Sequence, residues 1–398
     1  MGKEVFLISE MHMGGAERIM SVLANYCADH GRDTTVILTH QSLGDANLSR
    51  LNQNVKVISL VDEVKKVETK RRPAERQMLI ARFEGKLSKI FGTQMADAAS
   101  VRKFYSRNYD RVHWLKNFFS QNPKAAAIAF LYDSIFLTLL SVTKSNKVII
   151  SDRGDPQQSV SSKTDMAFFR RMFPKADQMV FQSPGVQDWY KTNIGLGGKI
   201  IFNPIKDNLP KPYTGKRKKR IVNFCRIDPQ KNLFLLLESF EKLAKECPDY
   251  ELYIYGDRSE NAREYSENFL QAANNSMFSE RIHIHPARAD IHEEILDCAM
   301  FVSSSDFEGM SNSMLEAMAI GLPTICTDCP AGGARAVIRD HENGLLVPVN
   351  DAEALYLAMK EVVDNPELAE SLSRNGRRIR QEQSAEIIMK QWMELING

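Results

Sequence analysis

Short apolar runs alternate with longer segments of mixed composition along most of the chain. The runs hold three to six residues and are rich in Val, Ile, Leu and Phe, as in strands that are buried on both faces of a sheet. The segments between them favour helices, and strands separated by helices predict a parallel, doubly wound α/β sheet. The predicted strands are Val5–Ile8, Thr34–Leu38, Val55–Ile58, Ala125–Phe130, Val148–Ile150, Met179–Phe181, Lys199–Phe202, Ile221–Phe224, Tyr250–Tyr255, Arg281–His285, Met300–Val302, Thr324–Cys326 and Leu345–Val347.

The alternation is interrupted twice, and the interruptions divide the chain. Between about residues 62 and 122 the sequence is polar, basic and largely helical in pattern. From 207 to 220 two prolines, a glycine and five consecutive basic residues read as a linker. A chain of 398 residues is also too long for one ordinary core. We therefore predict two domains, 1–205 and 206–380.

Composition narrows the functional class. The 52 basic and 50 acidic residues give a net charge of +2, so no overall field indicates a nucleic-acid partner. There is no run of about 18 apolar residues, and we expect neither a transmembrane helix nor a signal peptide. Six scattered cysteines fit a reduced, cytoplasmic protein, and the Cys326/Cys329 pair favours a structural role over a metal or redox role.

The charge is nevertheless uneven, because residues 63–116 contain 14 Lys/Arg and 6 Asp/Glu, a local excess of +8. A basic amphipathic stretch of this kind can lie on an anionic membrane surface, at the inner face of the cell membrane. It can equally be a solvated helical face that packs on its domain through an apolar stripe. Aromatic residues between 105 and 119 favour a surface that meets a partner, and both interpretations remain open.

The stretch from Ser303 to Ala319 carries the strongest chemical signal. A buried strand leads into a loop of Ser, Asp, Gly and Asn and then into a helix, so that Glu308 and Glu316 lie on either side of the helix start. Helix N-termini at strand ends bind phosphate, and carboxylates accept hydrogen bonds from sugar hydroxyls. A phosphorylated, polyhydroxylated ligand fits this pattern. The alternatives are a capping box from Ser313 to Glu316 and a solvated loop acid at Glu308.

Three further turns follow predicted strands. Arg226 and Lys231, five residues apart, suit a diphosphate, the alternative being an exposed basic pair. Gly14 and Gly15 allow a ligand to approach the backbone, although glycines also make plain turns. Asp152 and Arg153 form a polar strand end that can also be a salt-bridged surface turn.

Together these motifs resemble family 4 of the retaining glycosyltransferases with the GT-B fold, in its polysaccharide-building branch. Glu308 and Glu316 match the E-x7-E motif, and Gly14-Gly15-Ala16-Glu17-Arg18 is similar to the first loop of many members. The segment from Cys225 to Asn232 resembles the family's diphosphate segment, with Cys225 in place of glycine. The resemblance implies two Rossmann-like domains facing a central cleft, with a last helix within 381–398 that packs back on the first domain.

The resemblance also implies residue roles. Glu308, Arg226 and Lys231 would be catalytic, Glu308 by contacting the donor sugar and the two cations by offsetting charge on the departing diphosphate. The donor-binding group would be Gly14, Gly15, Arg288, Gly309, Met310, Ser311, Asn312, Ser313 and Glu316. On the acceptor side, Asp152 and Arg153 are the candidates. No Asp-x-Asp metal clamp is evident, and a Lys/Arg pair makes a metal unnecessary.

We therefore expect a retaining, metal-independent hexosyltransferase that uses a UDP-sugar and no cofactor. Its expected acceptor is a growing, lipid-linked surface polysaccharide or another glycan. Two alternatives stay open: a GT-B nucleotide-sugar epimerase, which needs no acceptor, and a nucleotide-sugar binding protein without turnover.

Overall fold

The computed structural model describes residues 2–12, 14–66, 72–91, 93–160, 163–288 and 290–398. The chain divides into two compact units. Unit 1 comprises the residues up to Gln182 together with Val186–Ile201 and Met389–Gly398, and unit 2 comprises Ser183–Gly185 and Phe202–Ile388. The chain passes from unit 1 to unit 2 between residues 201 and 202, and it returns to unit 1 between residues 388 and 389. The domain boundaries at 205/206 and 380/381 stay predictions from the sequence.

Unit 1 contains a seven-stranded parallel sheet in the order β3-β2-β1-β4-β5-β6-β7. Its strands are β1 (Lys3–Ile8), β2 (Asp33–Leu38), β3 (Lys56–Ser59), β4 (Ala126–Phe130), β5 (Lys147–Ser151), β6 (Gln178–Phe181) and β7 (Lys199–Ile200). Most of their side chains are buried, since helices cover both faces of a doubly wound sheet.

The helices of the first half of the chain are α1 (Gly15–Asp29), α2 (Leu60–Lys65), α3 (Arg72–Phe91), α4 (Thr93–Arg107), α5 (Tyr109–Gln121), α6 (Tyr132–Ser141), α7 (Pro156–Ser159), α8 (Lys163–Met172) and α9 (Pro184–Ile194). Four of them, α2 to α5, lie between β3 and β4, where the sequence predicted a helical interruption. Near the end of the chain, Trp392 is fully buried in unit 1, with its ring 5.8 Å from the ring of Phe130.

Unit 2 contains a six-stranded parallel sheet in the order β10-β9-β8-β11-β12-β13. Its strands are β8 (Lys218–Phe224), β9 (Glu251–Tyr255), β10 (Ile282–His285), β11 (Cys298–Ser303), β12 (Thr324–Thr327) and β13 (Leu345–Val347). Ile221 and Val222 of β8 belong to two different apolar clusters, so both faces of this sheet are also covered.

The remaining helices are α10 (Leu233–Glu246), α11 (Arg263–Asn275), α12 (Ile291–Ile295), α13 (Asn312–Ala319), α14 (Ala352–Asp364), α15 (Pro366–Gly376), α16 (Ile379–Glu382) and α17 (Ala385–Asn397). All thirteen predicted strands are present, with ends shifted by three residues at most. The predicted fold class, two parallel Rossmann-like sheets of the α/β type, is therefore confirmed.

The predicted linker, 207–220, extends too far along the chain, because its last three residues belong to β8. Lys218 begins β8, and its backbone N–H donates to the Asp297 carbonyl. The Arg217 guanidinium donates hydrogen bonds to four acceptors in unit 2, with N···O distances of 2.5 to 3.1 Å. The acceptors are the carbonyls of Leu296, Cys298 and Gly321 and the hydroxyl of Ser373. Burial lowers the pKa of Arg217.

Replacing Arg217 with alanine is expected to destabilise unit 2 by about 2–4 kcal/mol, because several partly buried acceptors lose their donor at once. The measurement is the free energy of unfolding in urea. Lys216→Ala is the matched control, since Lys216 is an exposed neighbour in the same basic run. An Arg217→Ala variant that unfolds like Lys216→Ala would contradict this assignment.

Candidate functional site

The candidate site lies at the carboxyl ends of β8 and β11 in unit 2. These two strands are neighbours, and the strand order reverses between them, since β9 and β10 lie on one side and β12 and β13 on the other. In open α/β sheets such a reversal leaves a crevice in which ligands bind. The two loops that follow these strands, 225–232 and 304–311, carry half of the residues predicted to be catalytic or donor-binding, namely Arg226, Lys231, Glu308, Gly309, Met310 and Ser311.

The first loop, 225–232, passes very close to the backbone at Gly256, directly after the neighbouring strand β9. A side chain at Gly256 would place its first carbon 1.7 Å from the carbonyl oxygen of Cys225, so only glycine fits there. The loop ends in a short 3-10 turn, Pro229–Lys231, and in Asn232, which adopts a left-handed φ of 40°. The Asn232 side chain accepts from the Leu235 N–H, which caps α10.

Lys231 reaches across to the second loop, where its ammonium forms a short ion pair with Glu308. Only 16% of the Lys231 side chain and 21% of the Glu308 side chain are exposed. Burial alone would lower the pKa of Lys231, but the Glu308 carboxylate outweighs it and the net shift is upward. Neither the solvated loop acid nor the exposed basic pair therefore describes these residues.

Arg226 differs from Lys231 in having an exposed side chain. Among the residues that the structure describes, it has neither a hydrogen-bond acceptor nor an acidic partner. An arginine without a partner at a strand end can bind a phosphate through two parallel N–H groups. The loop therefore holds one cation that is fixed by a carboxylate and one that is available to a ligand.

Helix α13 begins at the end of the second loop, and its cap is Ser311, whose hydroxyl accepts from the Met314 N–H at 3.3 Å. The alternative of a capping box from Ser313 to Glu316 is therefore wrong, because Ser313 instead donates to the Phe224 carbonyl and Glu316 lies inside the helix. Within the described part of the chain, the five backbone amides from Gly309 to Ser313 donate no hydrogen bond. Such a run of unsatisfied amides at a helix start suits an anion.

Glu316 is buried, with 7% of its side chain exposed, and it contacts two basic side chains. His292 Nε2 lies 2.7 Å from Glu316 Oε2, and Lys206 Nζ lies 3.8 Å from the same oxygen. The His292 ring packs edge-on against Phe224 at 5.7 Å. Sequence reasoning missed His292, which is 24 residues away on α12. Carboxylate oxygens offer about four acceptor positions, so a carboxylate that bonds a histidine can still accept from hydroxyls.

Arg288, which the resemblance places in the donor-binding group, forms ion pairs with two nearby acidic residues. Its guanidinium donates to both carboxylate oxygens of Asp290 and lies 2.5 Å from Glu294. Glu294 also accepts from the Tyr255 hydroxyl at 2.7 Å. The structure therefore does not bring the Arg288 guanidinium together with Arg226 and Lys231 as an unpaired cation.

The remaining predicted residues lie in unit 1. Gly14 caps α1, its carbonyl accepts from Arg50 at 3.2 Å, and Gly15 opens the helix. Asp152 is buried rather than at the surface, and it accepts from the hydroxyls of Tyr132 and Tyr190 at 2.7 and 2.8 Å. The surface-turn interpretation is therefore wrong, and burial raises the pKa of Asp152.

Arg153 packs its guanidinium over the rings of Phe130 and Trp392, at 5.9 and 5.6 Å from the ring centres. It also donates to the Ile201 carbonyl at 3.3 Å. These contacts give Arg153 a packing role inside unit 1. Contacts to an acceptor remain a prediction for both Asp152 and Arg153.

Metal and thiol chemistry were predicted to be absent from the site. Within the described ranges, no three His, Cys, Asp or Glu side chains come together as a metal site, and metal independence stays a prediction. All six cysteines are free thiols. Burial raises the pKa of Cys329 to about 12, so this thiol stays protonated at neutral pH.

Known proteins resemble the part of the chain that contains this site. Residues 205–379 match the family model of Glycosyl transferases group 1, and this range includes Arg226, Lys231, Glu308 and Glu316. An exopolysaccharide phosphotransferase of Streptomyces coelicolor is 27% identical over 225 residues, which are 56% of this chain and 23% of that protein.

The N-acetylgalactosamine-N,N'-diacetylbacillosaminyl-diphospho-undecaprenol 4-alpha-N-acetylgalactosaminyltransferase of Campylobacter jejuni is 26% identical over 204 residues, 50% of this chain and 53% of that protein. The chain thus spans less than two thirds of the length of the curated relatives that it matches.

Among solved structures, Anabaena HepE in complex with UDP and glucose superimposes with a TM-score of 0.76 at 16% identity, covering 100% of both chains. This likeness supports the GT-B fold, in which two Rossmann-like sheets occur in one chain. The family match covers residues 205–379, which are less than half of the chain, and it is through this part of unit 2 that the chain is similar to the glycosyl transferases group 1 family.

Proposed function

We propose that this protein is a retaining, metal-independent glycosyltransferase that moves a hexosyl group from a UDP-sugar to a growing polysaccharide or lipid-linked glycan. One observation carries the proposal. At the strand reversal of unit 2, a Lys231–Glu308 pair lies with Arg226 and with the five amides from Gly309 to Ser313, none of which has a hydrogen-bond partner among the described residues.

The diphosphate of the donor is the anion that these groups fit. Breaking the bond between the sugar and the diphosphate leaves negative charge on the departing phosphate oxygens. Arg226 and Lys231 would offset that charge, and donors fixed in position before the reaction stabilise developing charge most effectively. Burial alone would lower the pKa of Lys231, but the Glu308 carboxylate raises it overall, so the ammonium keeps the charge that this role requires.

The Lys231–Glu308 pair has a second consequence for the reaction. Glu308 holds the ammonium of Lys231 in one place, so that Lys231 can contact a phosphate without first losing the freedom of a long side chain. The same carboxylate would accept from sugar hydroxyls and stabilise positive charge at the anomeric carbon. Glu316, oriented by His292, is the proposed acceptor for the ribose hydroxyls.

The relatives support the substrate classes. HepE was solved with UDP and glucose, and the Campylobacter relative is named for a sugar transferred to a diphospho-undecaprenol-linked acceptor. We therefore place a nucleotide sugar in unit 2 and a lipid-linked glycan as the acceptor.

The proposal is tested by incubating the protein with UDP-sugars and lipid-linked glycan fractions, and by following UDP release and the anomeric configuration of the product by NMR. Transfer with retention supports it. Inversion would contradict the mechanism, conversion of the donor alone into a new nucleotide sugar would favour an epimerase, and binding without turnover would favour a non-catalytic binding protein.

Metal independence gives a separate prediction. Arg226 and Lys231 take the place that a divalent cation has in metal-dependent transferases, so excess EDTA is expected to leave the transfer rate within about twofold. The rate is measured with and without added Mg²⁺ or Mn²⁺. A loss of activity that either ion restores would refute metal independence.

A further inference from the structure

Helix α3 of unit 1 exposes two large apolar side chains that the packing of the unit does not use. Leu79 and Phe83 are each 64% exposed, and they lie one helical turn apart. The buried side of the same helix carries Ala74 and Ala81, while Gln77 and Glu84 accept from Arg102 of α4. The orientation of α3 is thus fixed by its inner side, and Leu79 and Phe83 point outward.

Basic side chains surround the two apolar ones. Arg76, Arg82 and Lys86 are all exposed, together with one acid, Glu75. At about 100° per residue these six positions fall within an arc of about 120° around the helix axis, with Leu79 and Phe83 between Lys86 and Arg76. We call this surface the α3 face, and its formal charge is +2 (three basic residues and one acidic residue).

We infer that the α3 face docks on an anionic lipid bilayer, with Leu79 and Phe83 inserted at the headgroup boundary and Arg76, Arg82 and Lys86 against the lipid phosphates. An interfacial helix needs an apolar strip flanked by cations, because the strip supplies burial and the cations supply attraction to negative headgroups. None of the described helices has the length and apolar character that a membrane span requires.

A second copy of the chain fits the same face less well. A twofold contact would bring Arg76, Arg82 and Lys86 of one copy against the same cations of the other, and like charges in contact oppose association. Two apolar side chains also cover far less than the roughly 800 Å² per partner of a stable protein interface. A bilayer has neither restriction.

The inference sharpens the proposed function, because a lipid-linked acceptor lies at a membrane surface, but vesicle binding can be measured without any turnover. The full chain is mixed with vesicles of phosphatidylcholine alone, or of phosphatidylcholine with about 30% phosphatidylglycerol, and bound protein is measured by co-sedimentation. We expect binding to the anionic vesicles at least about tenfold stronger, and weakening as salt is raised.

Three variants test the face itself. Leu79→Ser/Phe83→Ser is expected to weaken binding by about tenfold or more, because the inserted apolar area is lost. Arg76→Gln/Arg82→Gln/Lys86→Gln is expected to weaken it by about tenfold to hundredfold on anionic vesicles. Glu75→Gln should strengthen binding, since it removes the one negative charge.

The matched control is Leu357→Ser, which removes an exposed leucine of unit 2. All variants should keep the wild-type Tm, because the changed side chains are exposed. Wild-type vesicle binding by the Leu79/Phe83 variant, or equal binding to neutral and anionic vesicles, would overturn the inference. So would a dimer in light scattering that the Leu79/Phe83 variant abolishes.

Release of UDP from a donor in the absence of vesicles separates the two proposals. If the α3 variants release UDP at the wild-type rate but the wild type does not bind vesicles, the membrane inference fails and the proposed function stands. If vesicles bind as expected and no donor is turned over, the proposed function fails alone.

Discussion

Substitution of Arg226 by methionine is expected to lower kcat for sugar transfer by about 10²–10³, because one well-placed electrostatic contact to a departing anion is worth that much. The change is well suited to a test, since Arg226 is exposed and has no partner among the described residues, so that protein stability should stay within about 0.5 kcal/mol. The measurement is kcat at saturating donor, together with the KM for the donor from a titration of donor concentration. Arg263→Met, at an exposed arginine of α11, is the matched control.

Lys231→Met extends this prediction to the paired cation. The kcat should fall by a similar factor, about 10²–10³. The substitution also leaves the Glu308 carboxylate partly buried and without its cationic partner. We expect a destabilisation of about 1–3 kcal/mol, below the value for fully buried pairs because both side chains keep some exposure. Adding Glu308→Gln should recover the stability but not the turnover. Wild-type kcat in either Arg226→Met or Lys231→Met would remove that residue from the mechanism.

The second large effect is expected at Glu316. Glu316→Gln should raise the KM for the donor by about 10- to 100-fold, since hydrogen bonds to a charged group contribute about 1.5–3 kcal/mol. The kcat should change less, because contacts to the ribose are made equally in the ground state and the transition state.

Deoxy donors show whether Glu316 binds the ribose. The wild-type enzyme should discriminate against the 2'-deoxy and 3'-deoxy UDP-sugars, whereas Glu316→Gln should lose most of that discrimination. His292→Phe should have a weaker effect in the same direction, because it removes only the group that orients the carboxylate. A Glu316→Gln variant that still discriminates between ribose and deoxyribose would place the ribose elsewhere.

The sheets could be predicted because each strand is marked by a short apolar run in its own sequence. Runs such as Val5–Ile8 and Met300–Val302 are apolar throughout, and a parallel strand buried on both faces requires such a run. The strand–loop–helix around Glu308 could be predicted for the same reason, since apolar, turn-forming and helical residues follow one another along the chain.

Contacts between distant segments could not be predicted in this way. His292 and Glu316 meet only because α12 and α13 fold beside the same strands, and nothing local to His292 indicates its partner. Arg217 looks like one of five linker cations until the fold places three carbonyls around it. Asp152 follows a strand as a surface residue would, yet Tyr132 and Tyr190 enclose it.

The same limit applies to charge. The sequence assigns Arg226 and Lys231 to a diphosphate, and the resemblance places Arg288 in the donor-binding group, but charge alone does not distinguish a free cation from a paired one. The structure separates them, since Arg288 is held by Asp290 and Glu294, Lys231 is held by Glu308, and Arg226 extends into solvent.

Thermal protection by nucleotide sugars is the most direct test of a donor site in unit 2. The full chain is unfolded in the presence of a panel of UDP-, GDP- and TDP-sugars, and the wild type is compared with Glu316→Gln. A donor at a hundredfold over its dissociation constant should add about 2.7 kcal/mol to the free energy of unfolding. We expect that a UDP-sugar protects the wild type, that UDP is slowly released, and that Glu316→Gln loses most of the protection. Absence of protection by every nucleotide sugar, or equal protection of the Glu316→Gln variant, would contradict the donor site described for unit 2.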